Sequence, residues 1–269
     1  MTTTAPEVVR PDPAADPSAA WSSPSIRLSH VSKVFGHGPQ AVHALDRVSL
    51  TVGTGEFVCL LGASGCGKST LLNLIAGLDA PSLGTLEVTS RPTLMFQEAA
   101  LFPWLTVRGN VDLALKLRKV HKRERTAKVD ELLDLVHLRD FARKRPHELS
   151  GGMRQRVALA RALSQDTDIL LMDEPFGALD AMTRDILHDE LELLWSTTAK
   201  TVVFVTHNVR EAVRLGDRVV LLSSRPGRVA AEWEIGIPRP RRMDSAVVAE
   251  QAATITDRLR AEVRRHGDH

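Results

Sequence analysis

Gly62-Ala63-Ser64-Gly65-Cys66-Gly67-Lys68-Ser69-Thr70 fits the pattern G-x-x-x-x-G-K-[ST], and its flanks are the ones that pattern requires. Upstream, Phe57-Val58-Cys59-Leu60-Leu61 is an unbroken apolar run that predicts a buried parallel strand. Downstream, Leu71, Leu72, Leu74 and Ile75 share one helical face, and Gly77 is placed to end the helix. In such a strand–loop–helix unit, Gly62, Gly65 and Gly67 let the backbone turn successive N–H groups toward one anion. The helix adds the positive end of its dipole. Lys68 is set to reach the outer phosphates, and Ser69 to give its hydroxyl to Mg²⁺. A nucleoside triphosphate site is predicted here, with residues 62–70 as its cradle.

Composition narrows the setting. A chain of 269 residues has core enough for one large domain or two small ones. At 25% charged residues and a net charge of +2 it lacks the basic excess that nucleic acid demands, so no nucleic-acid partner is expected. Cys59, in the predicted strand, and Cys66, in the phosphate loop, give no disulfide framework and fit a reducing compartment. No apolar run reaches the length of a membrane span, and the first residues lack the basic-then-apolar pattern of a signal peptide. A cytoplasmic protein is expected, one that meets a membrane only through a partner.

Residues 1–24 hold Pro6, Pro11, Pro13, Pro17 and Pro24 among Ala, Ser, Thr and Asp, and are expected to be a disordered tail. Strands are expected at 26–35, 42–52, 85–88, 93–96, 169–172, 201–205 and 218–222. From 107 to 138 the period is helical, with Val111, Leu115, Leu132, Leu133 and Val136 as buried positions. Further helices are expected at about 151–164, 182–197 and 208–215, and strand alternating with helix points to a mostly parallel sheet. Lys116, Arg118, Lys119, Lys122, Arg123, Arg125 and Lys128 form a basic run, read as a solvated helical face ahead of a headgroup or nucleic-acid contact. Arg225-Pro226-Gly227-Arg228 is placed to turn a terminal hairpin. Past Pro238 and Pro240, Val248, Ala252, Ile255, Leu259 and Val263 mark one stripe of a final amphipathic helix.

A phosphate loop alone admits kinases, GTPases, helicases and transport ATPases, and further stretches decide among them. Ile169-Leu170-Leu171-Met172 is an apolar run that ends in Asp173-Glu174-Pro175. A carboxylate at the tip of a strand beside the phosphate loop can hold Mg²⁺, commonly through water, and the next is placed to take a proton from the attacking water. Leu149-Ser150-Gly151-Gly152-Met153-Arg154-Gln155-Arg156 precedes the helical run 157–163. Ser150 can cap that helix and the two glycines open its end, which makes a second phosphate-binding terminus in a chain with one nucleotide site.

At this point the sequence resembles the ATP-binding cassette (ABC) superfamily, whose signature is Leu-Ser-Gly-Gly followed by a Gln, taken here as Gln155. The resemblance covers about residues 26–235. It implies an α/β fold, with a P-loop NTPase-type mostly parallel sheet, an antiparallel β subdomain and an α-helical subdomain at about 98–165. The cassette is expected at 25–236, and a linker and C-terminal helix at 237–269. The resemblance implies a homodimer in which Ser150, Gly151, Gly152 and Gln155 of one subunit close over ATP and Mg²⁺ held by the phosphate loop of the other. Gln97 matches the glutamine loop, which senses the γ-phosphate and Mg²⁺ and touches the membrane subunit. Asp180, in Gly177-Ala178-Leu179-Asp180, matches the loop that crosses the dimer interface. His207 matches the switch histidine at the γ-phosphate, and Phe35 the aromatic that stacks on adenine, with a core role for Phe35 as the alternative. Catalysis is thus assigned to Glu174, His207 and Gln97, and the metal to Ser69, Gln97 and Asp173.

Finer marks resemble importers of nitrate, sulfonates, taurine and related organosulfur compounds. They are Phe96-Gln97-Glu98 leading to Leu101-Phe102-Pro103-Trp104-Leu105-Thr106-Val107, then Ala181-Met182-Thr183-Arg184, then Ser223-Ser224-Arg225-Pro226-Gly227-Arg228. One departure is that only residues 85–96 separate Gly84 from Gln97, shorter than is usual in the family and a doubt about a hairpin there. A cassette acting on DNA or ribosomes is the alternative class. About eighty residues without sustained heptads between loop and signature, and one copy of each, count against it. An exporter shares every nucleotide motif. Only 62 residues follow His207, too few for a C-terminal β-rich regulatory domain. The expected partners are integral membrane permease subunits and, through them, a solute-binding protein. The expected place is the cytoplasmic face of the cell membrane.

Overall fold

The computed structural model describes residues 24–177 and 179–267. The phosphate-loop run forms β3 (Phe57–Leu61), and every residue of it is buried. It is central in a six-stranded sheet of order β5-β6-β7-β3-β8-β9, built with β5 (Thr93–Met95), β6 (Ile169–Asp173), β7 (Thr201–Val205), β8 (Arg218–Leu222) and β9 (Val229–Glu234). All pairings are parallel except β8 with β9, the hairpin expected at 225–228. The unbroken apolar composition has a geometric cause. Phe57, Cys59 and Leu61 enter one core and Val58 and Leu60 the other, since successive residues of a strand face opposite sides and here both sides are covered.

One cover is α1 (Lys68–Ile75) with an antiparallel sheet of order β2-β1-β4, formed by β1 (Pro24–Phe35), β2 (Val42–Gly53) and β4 (Leu83–Val88). Pro24, assigned to the tail from composition, instead opens β1, paired with Gly53. The rest of the expected tail, 1–23, lies outside the described residues. No hairpin joins β4 to β5: β4 pairs with β1 and β5 with β6, so the short 85–96 stretch carries the chain from one sheet to the other.

On the opposite face lie α2 (Val107–Leu117), α3 (Lys122–Leu135), α4 (Gly151–Leu163), α5 (Ala181–Thr198) and α6 (Val209–Leu215). The helical period from 107 to 138 is split, with Lys119 in the left-handed region at φ +60° between α2 and α3. The expected buried positions Val111, Leu115, Leu132, Leu133 and Val136 are all in the core. The basic run lies on the outer face and is partly paired, Arg125 with Asp112 at 2.6 Å and Lys128 with Glu131 at 2.7 Å. Asn110 is fully buried and binds the segment before α2, accepting from Phe102 N at 2.8 Å and donating to Thr106 O at 3.0 Å.

α7 (Ala246–Gly267) docks through Val248, Ala252, Ile255 and Leu259, whereas Val263, placed on the same stripe from the sequence, is exposed while its neighbour Glu262 is buried. The linker before it is anchored by buried Arg241, which donates to Val213 O at 3.0 Å and Ile235 O at 2.8 Å. Such a guanidinium satisfies carbonyls that the end of α6 leaves open. Among the described residues no helix is long and apolar enough to cross a membrane.

Candidate active site

Between the end of β3 and the start of α1 the loop must bend tightly under its neighbours. Gly67 caps α1 at φ +99°, and a Cβ there would stand 2.7 Å from Leu45 Cδ2 and 2.8 Å from Ala44 O. On Gly62 a Cβ would stand 2.5 Å from Cys66 Sγ and 2.9 Å from Leu222 O. At these two positions glycine is required by close approach, and β2 and β8 are what approach. Lys68 is only 7% exposed, and its Nζ donates to Gly62 O at 2.8 Å and Ala63 O at 2.9 Å. These carbonyls and the Cys66 thiol, 3.8 Å from Nζ, are neutral partners, and no ion pair cancels its charge among the described residues. Burial pushes the Cys66 thiol up, so it stays protonated behind the loop.

Ser64, Gly65, Gly67, Lys68, Ser69 and Thr70 line a cleft of about 930 Å³ whose other walls are Gln97, Glu174 and His207, residues 41–44, and Arg225 with Pro226. Gly62, Ala63 and Cys66 support this surface from behind. Glu174 follows β6, with its N–H donating to Val205 O at 3.0 Å and its φ at +45°, a conformation that costs a non-glycine residue of order 1–3 kcal/mol and clusters at functional sites. Its Oε2 lies 3.4 Å from Gln97 Nε2 and 3.3 Å from His207 Nδ1. The structure therefore brings together three residues far apart in sequence, and contacts of this length are of the kind that tighten around substrate. Asp173 is 9% exposed. Burial raises its pKa, against the pull of the Ser69 hydroxyl bonded to it, and the neighbouring Glu174 carboxylate adds to the rise.

A layer behind these groups was not anticipated from sequence. Glu211, buried on α6, lies 2.6 Å from His188 Nε2 and also accepts from Thr206 Oγ1. Arg214 Nη1, which can only donate, lies 3.2 Å from His188 Nδ1, so Nε2 carries the proton toward Glu211. The His188 ring packs at 5.2 Å, edge to face, on Phe176, two residues after Glu174. One buried pair thus braces both the segment with Glu174 and the segment with His207. Its trace in sequence is polar residues on the apolar faces of α5 and α6, a weak sign until the helices are seen side by side.

The signature residues stand apart from this cleft. Ser150 is exposed and caps α4, its Oγ accepting from Met153 N at 3.2 Å. Gln155 departs from expectation. It is 7% exposed and its Nε2 donates to the main-chain carbonyl of Gln97 in the same chain. It lies more than one turn past the helix end that Ser150 opens, and Met153 occupies the position directly after Gly152. Asp180 is exposed and caps α5, accepting from Thr183 N at 3.0 Å, and that N–H holds its carboxyl below the usual range. Ala178 lies outside the described residues. Phe35, 43% exposed, is not in the cleft wall: it pairs with Val42, which is, and Lys33 Nζ sits 5.0 Å from its ring centre.

Known proteins resemble this chain in sequence and in fold. Residues 45–177 match the ABC transporter family. The taurine import ATP-binding protein TauB of Rhizobium johnstonii is 49% identical over 224 residues, 80% of this chain and 85% of that protein. The nitrate import ATP-binding protein NrtD of a Synechocystis species is 45% identical over 221 residues, 79% of this chain and 83% of that protein. A dimeric post-hydrolysis structure of the ATP-binding cassette MJ0796, bound to ADP and Pi, superposes with a TM-score of 0.73 at 34% identity, covering 79% of this chain and all of that one. The chain belongs to the ATP-binding cassette transporter family. Within it, it is an ATPase cassette, with the parallel core, antiparallel sheet and helices of that fold.

Proposed function

We propose that this chain is the ATP-hydrolysing subunit of an importer for a small anion of the nitrate, sulfonate or taurine class, acting as a homodimer under membrane permease subunits. The observation that carries the chemistry is the meeting of Gln97, Glu174 and His207 across one cleft from Lys68 and Ser69. The phosphate loop and Lys68 hold the triphosphate. Glu174 takes the proton of the attacking water, His207 Nδ1–H steadies that carboxylate and reaches the γ-phosphate, and Gln97 orients the water. The Ser69 hydroxyl and buried Asp173 carboxylate are adjacent hard oxygen donors, a set that fits Mg²⁺, and Gln97, which lines the same cleft as Ser69, is assigned with them. Bound there, Mg²⁺ would neutralise charge on the transferred phosphoryl group. Phe35 is assigned to the adenine end. Ser150, Gly151 and Gly152 are assigned to the partner's nucleotide, Asp180 to the interface, and Gln155 to holding Gln97 within its own chain.

Permease docking has its own support. Beside Gln97 a cleft of about 570 Å³ is lined by Leu94, Met95, Phe96, Phe102, Leu113 and Leu117 among others. Trp104 is 67% exposed next to it, its ring tilted against that of Phe102 at 5.5 Å, which favours a docking surface over core packing. We assign it to a helix of the permease, which puts the chain on the cytoplasmic face of the membrane. The solute class rests on the names of the relatives and is tested directly. Cells whose only copy carries Lys68→Ala are expected to lose uptake of labelled taurine, an alkanesulfonate or nitrate. Uptake of all three at wild-type rates would remove the import reading.

A further inference from the structure

Arg225 stands in the wall of the nucleotide cleft with nothing to bind. Its turn joins β8 to β9 and is pinned from within, Ser223 Oγ donating to Pro226 O at 3.1 Å and accepting from Arg228 N at 3.0 Å. It is also pinned to β2, Gly227 N donating to Ala44 O at 2.9 Å and Asp46 N to Gly227 O at 2.9 Å. These bonds hold the main chain around Arg225 against the phosphate loop. Its Nη2 and Nε lie 3.3 and 3.8 Å from the point where a Cβ on Gly65 would stand, so the guanidinium lies directly over the loop. Three residues on, Arg228 gives both Nε, at 2.9 Å, and Nη2 to Asp46. Arg225, with five N–H donors, makes no hydrogen bond or ion pair among the described residues.

An arginine without a partner is ordinary on an open surface. This one shares a cleft wall with Ser64, Gly65 and Lys68, carried by a turn that is already ordered. We propose that Arg225 is a phosphate ligand of the nucleotide, supplied by the same chain that supplies the phosphate loop. Its planar fork takes an oxygen of the outer phosphates, β or γ, from the Gly65 side, while Lys68 takes one from within the loop. Because the turn is fixed before binding, little ordering is lost when the contact forms. The inference rests on the cleft being the nucleotide site.

The test is equilibrium titration of the full chain with Mg-ATP, Mg-ADP and AMP, in wild type, Arg225→Ala, Arg225→Lys and Lys68→Ala, with melting of each apo protein. Arg225→Ala is expected to weaken ATP roughly tenfold, the loss of one charge-assisted contact, and AMP by less. Arg225→Lys should recover part of this, having the charge without the fork, and the apo melting temperature should not move, since no internal partner is lost. ATP affinity unchanged in Arg225→Ala, with Lys68→Ala defective, overturns the inference and leaves the site standing. An equal loss for ATP and AMP assigns the side chain to the nucleoside or the α-phosphate instead of the outer phosphates, and a falling apo Tm makes it structural. Either result overturns the proposal. Wild-type affinity in Lys68→Ala as well takes the nucleotide site with it.

Discussion

The two helix ends offered to phosphate in this chain are built to different degrees. At α1 the N-terminus is enclosed: β2 and β8 press on Gly67 and Gly62, Lys68 is buried on two carbonyls, and Asp173 waits behind Ser69. At α4 the N-terminus is bare. The Ser150 hydroxyl meets only its own helix, and at the start of α5 Asp180, Met182 and Ile186 are exposed as well. The first is a walled cleft and the second a bare terminus. That difference is what a dimer with nucleotide between subunits requires, because each end then closes on the other copy.

The largest effects should fall on the enclosed end. Glu174→Gln keeps the side-chain shape but cannot accept a proton, and general-base catalysis is worth about 10²–10⁴ in rate, roughly 3–5 kcal/mol of barrier. Phosphate-release assays should show turnover nearly gone while ATP binding persists. Lys68→Ala should lose binding itself. Equal ATP affinity in the two variants would break the division between holding and reacting.

Next comes the bare end. In the Glu174→Gln background, light scattering should show dimers that depend on ATP and Mg²⁺, since a ligand that bridges two chains shifts the equilibrium toward the dimer. Adding Ser150→Arg puts a bulky cation on the exposed end of α4, and should abolish dimers while each monomer still binds ATP. Dimers that survive this change would show that α4 does not close on nucleotide.

A smaller effect separates the two ends within one helix. Gln155 lies on α4 but serves the other site, donating to the Gln97 carbonyl from a buried position. Gln155→Leu should leave dimerisation intact and lower kcat by between about tenfold and a hundredfold, because Gln97 would lose its anchor near the attacking water. Loss of the ATP-dependent dimer instead would return Gln155 to the role its sequence position suggested.

What could be read before the structure follows the same divide. Strands 57–61, 201–205 and 218–222 were legible to the residue because both faces of the sheet are covered, which leaves unbroken apolar runs between turns. The phosphate loop was legible because its glycines, lysine and hydroxyls are fixed by local geometry. Relations across the fold were not. Lys119 ends α2 with no glycine or proline to announce it, and β4 and β5 part to separate sheets through a stretch that reads like a hairpin. The bond from Gln155 to the Gln97 carbonyl was not legible, because sequence order shows nearness to Ser150 and not burial. His188 and Glu211 are 23 positions apart, and neither carries a sign of the other.

The smallest expected effect concerns the cost of building the enclosed end in advance. Burial raises the Asp173 pKa above its value in an unfolded chain, so across the window between the two values the folded protein binds more protons than the unfolded one. Stability from this group therefore falls as pH rises through that window, and stays lowered at neutral pH, where burial outweighs the pull of the Ser69 hydroxyl and of Lys68 on the charged carboxylate. Asp173→Asn removes that charge at nearly constant size. The apo variant should melt higher than wild type at neutral pH, by the few degrees that a single-site change produces in a domain of this length, and the difference should vanish below the unfolded-state pKa. With Mg-ATP added the order should reverse, because wild type gains ligand binding that the variant lacks. An apo Asp173→Asn protein that melts lower than wild type at neutral pH would mean that the carboxylate is stabilised by its Ser69 bond more than burial costs it, and that the enclosed end carries no such penalty.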